Sequence, residues 1–314
     1  MPNSIAIYGH RGWVGSAIVQ ALADSPASVK VLYRPGSDTL RLPSNISTVQ
    51  VDITDQDALV AALEGVDILI SLVGHSAIEC QLFLLNALVK TNVRLFVPSD
   101  LAVKYKGQGL GIELIKAKMA VEHAAARLGV MTTVVLTGNL AEFALDTPAM
   151  GVDREHNRII FTGDSASQPL NLWYANLTPI MAAYVSLFAT TSIAELSNRT
   201  FSLSELRPTG REIAQALEKR WGKAPSQRTV SIEDVTRQVD ELIQSGNPGA
   251  LSWYTRKNWG NGDQLKFLGT KFWEVEGYKK ASIEDLLVKG KLDRYRPLPQ
   301  EFLDILFAEF DLCE

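Results

Sequence analysis

The chain has 314 residues, of which 46% are hydrophobic and 21% charged, with a formal net charge of −4 and a pI near 5.7. That is the composition of a globular protein with a sizeable core and room for one large or two unequal domains. The weak negative charge excludes a general attraction to nucleic acid or to an anionic membrane, so any anion site has to be local.

Cys80 and Cys313 are the only cysteines, far apart in sequence, which gives no disulfide framework and makes a reducing compartment the default. The histidines His10, His75, His123 and His156 show no metal-ligand spacing, so no metal is expected. The first strand begins close to Met1 without a basic segment leading into an apolar one, so a cytoplasmic protein is expected. One uncharged stretch, residues 165–194, raises the question of a membrane span. Pro169, Asn171, Asn176, Thr178, Pro179 and Ser186 interrupt it, and a buried strand and helix are predicted there.

Taken in chain order, Ser4-Ile5-Ala6-Ile7-Tyr8 reads as a strand that runs into Gly9-His10-Arg11-Gly12-Trp13-Val14-Gly15 and a helix over 16–23. In a strand, glycine turn and helix of this kind, Gly9 permits the sharp turn, Gly12 leaves space for a pyrophosphate and Gly15 lets the helix approach the sheet. The N–H groups at the start of the helix, around Trp13 and Val14, face the phosphates with the positive end of the helix dipole. A second strand over 28–33 ends at Arg34-Pro35-Gly36-Ser37, where the adenosine ribose is read. Arg34 suits a 2′-phosphate and Arg11 adds a second guanidinium, so NADP(H) is predicted over NAD(H), the alternative for each being a solvated arginine. Asp38, an acid a few residues on, argues the other way.

A third strand over 46–51 ends at Asp52, which either meets the adenine amine or serves as a turn residue, and a helix with a Thr54 cap follows over 54–63. Residues 66–73 form a largely apolar central strand whose end, Val73 and Gly74, is expected beside the cofactor. A helix over 76–89 and a fifth strand over 93–97 lead to Pro98-Ser99-Asp100. In the helix over 110–128, Leu114, Val121, Ala125 and Leu128 share one face and Lys118 sits among them. Its ammonium either pairs with Glu122 one turn on or faces a cleft as acid, base or ribose anchor. A sixth strand over 131–136 ends at Thr137-Gly138-Asn139. Strands and helices in this alternation predict a doubly wound parallel α/β sheet with its site at the carboxyl ends of the strands.

Beyond residue 150 the alternation breaks, and a smaller α/β region over 151–314 is predicted to cover the substrate. Strands are expected at 158–162, 170–174, 200–203 and 227–231, the third rejoining the main sheet. Helices are expected at 177–187, 209–221 and 232–244, and from Ser282 and Pro299. The polar run from Trp253 to Gly262 reads as a loop or lid.

The glycine motif, Arg34, Pro98-Ser99-Asp100 and Lys118-Met119-Ala120-Val121-Glu122-His123-Ala124 resemble the NmrA-like, isoflavone reductase-like group of atypical short-chain dehydrogenases over about the first 145 residues. The resemblance implies that Lys118 is the active-site lysine, that Ser99 and Asp100 stand for the group's Ser-Glu pair, and that Asn139 matches its asparagine after the sixth strand. Arg11 departs from the small residue usual there, and the turn Gly-His-Arg-Gly-x-Val-Gly is instead similar to that of GDP-fucose synthases. Those enzymes and ordinary short-chain dehydrogenases need Tyr-x-x-x-Lys, and no tyrosine here has a lysine four residues later.

The reading that follows is an NADPH-dependent reductase of a small, largely apolar compound, a carbonyl, enone or benzylic substrate, acting as monomer or homodimer. Lys118 handles the proton and Ser99, Asp100 and Asn139 line the pocket. A non-catalytic NADP(H) sensor of the NmrA type is the alternative, and a sugar-nucleotide enzyme is a third reading that rests on the glycine turn alone.

Overall fold

The computed structural model describes residues 2–311 except 174–177, 270 and 277. Tyr174, at the end of one expected strand, and Cys313 lie outside the described residues. The first half alternates as anticipated: β1 (Ser4–Tyr8), α1 (Trp13–Ala23), β2 (Ser28–Tyr33), β3 (Ser47–Gln50), α2 (Gln56–Ala62), β4 (Ile68–Ser71), α3 (Gln81–Leu88), β5 (Leu95–Val97), α4 (Glu113–Arg127) and β6 (Thr133–Leu136).

The first five strands form a parallel sheet in the order β3-β2-β1-β4-β5, with Ile7 opposite Val31 on one side and Ile70 on the other. Covered on both faces, its middle strands are apolar without alternation, and Ile5, Ala6, Ile7, Ile68, Leu69 and Ile70 are wholly buried. One face packs on α1 through Ile18 and Leu22, joined by Tyr184 and Phe188 from further along the chain. The other packs on α2, α3 and α4 through Leu59, Leu84, Leu85 and Val121. Because the chain runs outward from β1 to β3 and then returns to place β4 on the opposite side, the strand order reverses between β1 and β4. A crevice opens at their carboxyl ends.

The second half comprises β7 (Asn139–Leu140), α5 (Ala141–Asp146), β8 (Val152–Asp153), β9 (Arg158–Thr162), β10 (Leu172–Trp173), α6 (Thr178–Phe188), α7 (Ile193–Leu196), β11 (Arg199–Ser202), α8 (Gly210–Trp221), β12 (Ser226–Val230), α9 (Ile232–Gln244), α10 (Ala250–Gly260), α11 (Asp263–Leu268), α12 (Ile283–Leu287) and α13 (Gln300–Asp311). β5 reaches β6 through a single bridge, Phe96 N–H donating to the Met131 carbonyl at 2.9 Å. β11 pairs parallel with β6, Phe201 opposite Val135. A separate small sheet, β12-β9-β8, carries the outer region. No helix among the described residues is long and apolar enough to cross a membrane.

Three local expectations are corrected. The helix expected from Thr54 starts at Gln56, with Asp55 as its cap accepting from Ala58 N–H at 3.0 Å, because Thr54 is taken up by Asp52. The helix expected over 76–89 is divided: a 3₁₀ turn runs over His75–Cys80, with Ala77 off helical geometry, before α3 begins. The segment from Trp253 to Gly262, read as a loop or lid, is mostly α10, and Trp253, Tyr254 and Trp259 are at most 3% exposed. Its polar residues are spent inside: Arg256 is wholly buried against Glu309 of α13, which also accepts from the Trp253 indole at 3.1 Å.

Candidate active site

The geometry begins at the end of β1. Gly9 turns at φ +104°, where a Cβ would stand 2.7 Å from the Leu72 carbonyl oxygen. A Cβ on Gly15 would stand 2.5 Å from the Gly9 carbonyl oxygen. These two glycines let the turn lie against β4 and let α1 close on the turn. Gly12 is different: the nearest atom to its missing Cβ is 4.0 Å away, and Gly12 is the N-cap of α1 without a side-chain hydrogen bond to close the helix end. The first N–H groups of α1 are therefore open to an anion across a space with no side chain in it. Trp13 and Val14 pack their side chains on the core under α1, so their part in such a site is the backbone.

This turn opens on a cleft of about 550 Å³ whose walls include Arg11, Gly12, Arg34, Asp52, Val73 and Gly74. His10, 6% exposed, places Nε2 3.1 Å from the Asp38 carbonyl oxygen and sets its ring edge-on to Tyr33 at 6.4 Å, tying the turn after β2 onto the glycine turn. Arg11 and Arg34 thus line one cleft, both exposed, and neither has a carboxylate partner among the described residues. Asp38, the acid that argued against a 2′-phosphate, turns its carboxylate into its own loop to accept from Leu40 N–H at 2.8 Å. Of the two readings offered for Asp52, the structure shows the turn residue. It lines the cleft, and it holds the turn by accepting from Thr54 N–H and hydroxyl at 2.9 and 2.8 Å, bonds that keep its carboxyl below the usual range.

Deeper along the strand ends, Ser99 donates its hydroxyl to the Val73 carbonyl at 2.7 Å and its N–H to Gln81 Oε1 at 2.8 Å, stitching the end of β5 to the segment after β4 and to the start of α3. Asp100 follows and accepts from Lys118 Nζ at 2.8 Å, with the two side chains only 15% and 8% exposed. The ion pair weighed for Lys118 with Glu122 is not made, since Glu122 reaches Lys104 at 3.0 Å. Lys118 lies over the Tyr105 ring, 5.5 Å from its centroid. Burial alone would drive an ammonium down, but Tyr105 and Asp100 outweigh it and hold Lys118 above the ordinary lysine value. Burial in turn pushes the Tyr105 phenol up. The segment carrying Tyr105 is braced by α10, whose Tyr254 hydroxyl donates to the Lys106 carbonyl at 2.8 Å.

Ser99, Asp100 and Lys118 are thus brought together. Asn139 sits apart in β7, its amide 3.8 Å from the Met150 sulfur, with no hydrogen bond to the other three among the described residues. Lys118 lines a void of about 20 Å³ between α4 and the sheet. A larger cavity of about 570 Å³, with Ile78, Ile112, Leu114, Leu242 and Ile243 in its walls, shares Ser76, Ala77 and Cys80 with the cleft. His10, Gln81 and Tyr105 escaped the sequence reading, because their partners are backbone atoms or side chains from other elements and no periodicity marks them. Among the described residues no group of His, Cys, Asp and Glu has the arrangement of a metal site.

The chain is similar to proteins of known kind. It is 25% identical over 260 residues to an isoflavone reductase homolog of Zea mays, covering 76% of this chain and 81% of that protein. It is 25% identical over 286 residues to an oxidoreductase of Aspergillus flavus, covering 85% and 92%. Among solved structures, a leucoanthocyanidin reductase of Vitis vinifera in binary complex with NADPH superposes with a TM-score of 0.72 at 16% identity over 91% of this chain and 98% of that one, so the fold is shared. The model of the NmrA-like family matches residues 1–251. With the glycine turn, the switch-point cleft and the buried lysine in place, this chain belongs to the NmrA-like family.

Proposed function

We propose that the protein is an NADPH-dependent reductase acting on a small, largely apolar carbonyl, enone or benzylic compound. Four things support the reading: the family, the reductase and oxidoreductase names of relatives aligned over most of their length, two guanidinium groups in the cleft without a carboxylate partner among the described residues, and a cavity with apolar side chains in its walls that adjoins the cleft. The residues fit the cofactor. Arg34 and Arg11 would hold the 2′-phosphate, the space over Gly12 and the start of α1 the pyrophosphate, and Val73 and Gly74 the nicotinamide half. Bound there, the nicotinamide supplies hydride.

The observation that carries the catalytic reading is the Lys118–Asp100 pair. Asp100 keeps the ammonium charged and fixes its direction, and the Tyr105 ring covers it. A lysine held above its ordinary value is a poor base. Lys118 therefore serves as a cationic hydrogen-bond donor to an acceptor oxygen that gains negative charge, and passes it a proton as that oxygen becomes more basic than the amine. The test is Lys118→Met assayed for NADPH oxidation and, by calorimetry, for NADP⁺ binding. Turnover should vanish while the cofactor Kd stays within about threefold, well inside one charge-assisted bond. Unchanged turnover would remove Lys118 from the mechanism.

A second reading, a non-catalytic redox sensor, is favoured by one feature: the space that Lys118 lines holds little more than a water molecule. Tight NADP⁺ and NADPH binding without hydride consumption across a broad carbonyl and enone panel would select the sensor.

A further inference from the structure

The segment between α12 and α13 runs back from the outer region to the dinucleotide half. Leu292 anchors it, 5% exposed in the outer core, with its carbonyl near the Arg154 guanidinium. Three residues on, Tyr295 N–H donates to Asp146 at 2.6 Å, and the Tyr295 ring stands edge-on to Phe143 at 5.4 Å and to Trp13 at 6.3 Å. Arg294 meets Asp146 and Glu155 at 3.2 and 3.3 Å. Tyr295 is thus pinned to α5 and at the same time touches the first residue of α1, directly after Gly12.

Arg296 comes next and is treated differently from its neighbours. Its guanidinium packs on the Tyr295 ring, 5.6 Å from the centroid, is exposed, and has no carboxylate partner among the described residues. Desolvation first, then the charges of Lys118 and Arg296, push the imidazole of His75, beyond the end of β4, down to about 4. Through the contact of Tyr295 with Trp13 the strap reaches the β1 side of the crevice, directly after Gly12. This is the switch point where a dinucleotide crosses the sheet and its pyrophosphate meets the helix end.

We infer that Arg296 is a further cofactor-binding residue, an arginine brought from the outer region by the Tyr295 strap to meet the pyrophosphate beside the N–H groups of α1. A planar guanidinium with no carboxylate partner among the described residues is suited to bidentate contact with a phosphoryl group, and Tyr295 holds it without neutralising it. The inference rests on the dinucleotide reading and adds to it. Arg11 and Arg34 read the adenosine end, whereas Arg296 reads the centre of the molecule, beside the start of α1.

The experiment is calorimetry on the full chain with three ligands: NADP⁺, 2′-phospho-ADP-ribose, which keeps the pyrophosphate but lacks nicotinamide, and adenosine 2′-monophosphate, which lacks both. For Arg296→Ala, affinity for the first two should fall by about tenfold or more, the scale of one charge-assisted contact, with the third unchanged. Arg296→Lys, a point charge without the fork, should recover part of the loss. Amide hydrogen exchange should show NADP⁺ protecting residues 293–298 in the wild type and not in Arg296→Ala. Binding of NADP⁺ by Arg296→Ala within about twofold of the wild type, or an equal loss for adenosine 2′-monophosphate, would overturn the inference. A wild-type protein that binds neither NADP⁺ nor its fragments would sink the dinucleotide reading itself and the strap's role with it.

Discussion

Replacing Asp100 by Asn tests the centre of the site through its energetics. The pair it breaks is 2.8 Å long, and both side chains are more than four-fifths buried. Removing one partner of a buried pair costs about 3–5 kcal/mol, most of it the penalty of stranding the other charge. Two contacts reduce that figure here: the Asn oxygen still accepts from Nζ, and the face of Tyr105 remains under the ammonium, a contact of about 0.5–2 kcal/mol. Asp100→Asn should therefore cost about 2 kcal/mol. Lys118→Met strands a carboxylate with no such compensation and should cost about 3 kcal/mol, while the double variant should cost far less than the sum. Urea unfolding of the four proteins gives the cycle, with an expected coupling of about 2 kcal/mol. Additive single variants, with coupling below about 0.5 kcal/mol, would refute the pair as the organising contact. The pH dependence carries a sign. Because folding raises the Lys118 value, the pair's contribution is complete below the ordinary lysine value of about 10.4 and is lost only as pH climbs past it toward the folded one. The stability gap between wild type and Lys118→Met should therefore stay level from about pH 6 to 10 and narrow above that.

Other outcomes follow from the same geometry. Arg34→Glu should weaken NADPH binding by about 1–3 kcal/mol in calorimetry and leave NADH nearly unaffected, whereas an equal loss for both would place Arg34 away from the 2′-phosphate. Gly15→Ala forces a Cβ to within 2.5 Å of a backbone oxygen, so thermal melting should drop and cofactor binding fail together. A variant that melts and binds like the wild type would contradict the turn as described. Glu309→Ala leaves the Arg256 guanidinium buried without its carboxylate and should cost about 3–5 kcal/mol in urea unfolding. A loss below about 1 kcal/mol would show that α13 does not seal α10.

What the letters revealed depended on whether the physics was local. The alternation of β1 to β6, the glycine turn and the cap on α9 were legible, because each is set by a run of neighbours: apolar strands, a φ that favours glycine, a Ser231 hydroxyl accepting from Asp234 N–H at 3.0 Å. Lys118 was legible as an anomaly on an apolar face, but its partner was not. Glu122 is one turn along the same helix, whereas Asp100 comes from a separate strand end, and only the fold decides between them. The segment from Trp253 misled for the converse reason. Arg256 and Asn258 look solvent-seeking in sequence, and their burial is made tolerable for Arg256 by a carboxylate some fifty positions later. The 3₁₀ turn at His75 was equally hidden, since an uninterrupted helical pattern carries no mark of where the chain bends toward the cleft.

The pairing of β11 with β6 has a practical consequence. A fragment cut after residue 150 would keep every strand up to β7 yet lose the neighbour that covers one side of Thr133 to Leu136. Val134, Val135 and Leu136, all at most 7% exposed in the whole chain, would then flank a row of vacant hydrogen-bonding groups. Such a piece would be inclined to stack edge to edge with its own copies and precipitate, so anyone seeking a minimal cofactor-binding unit should carry the chain through Ser202 at the least.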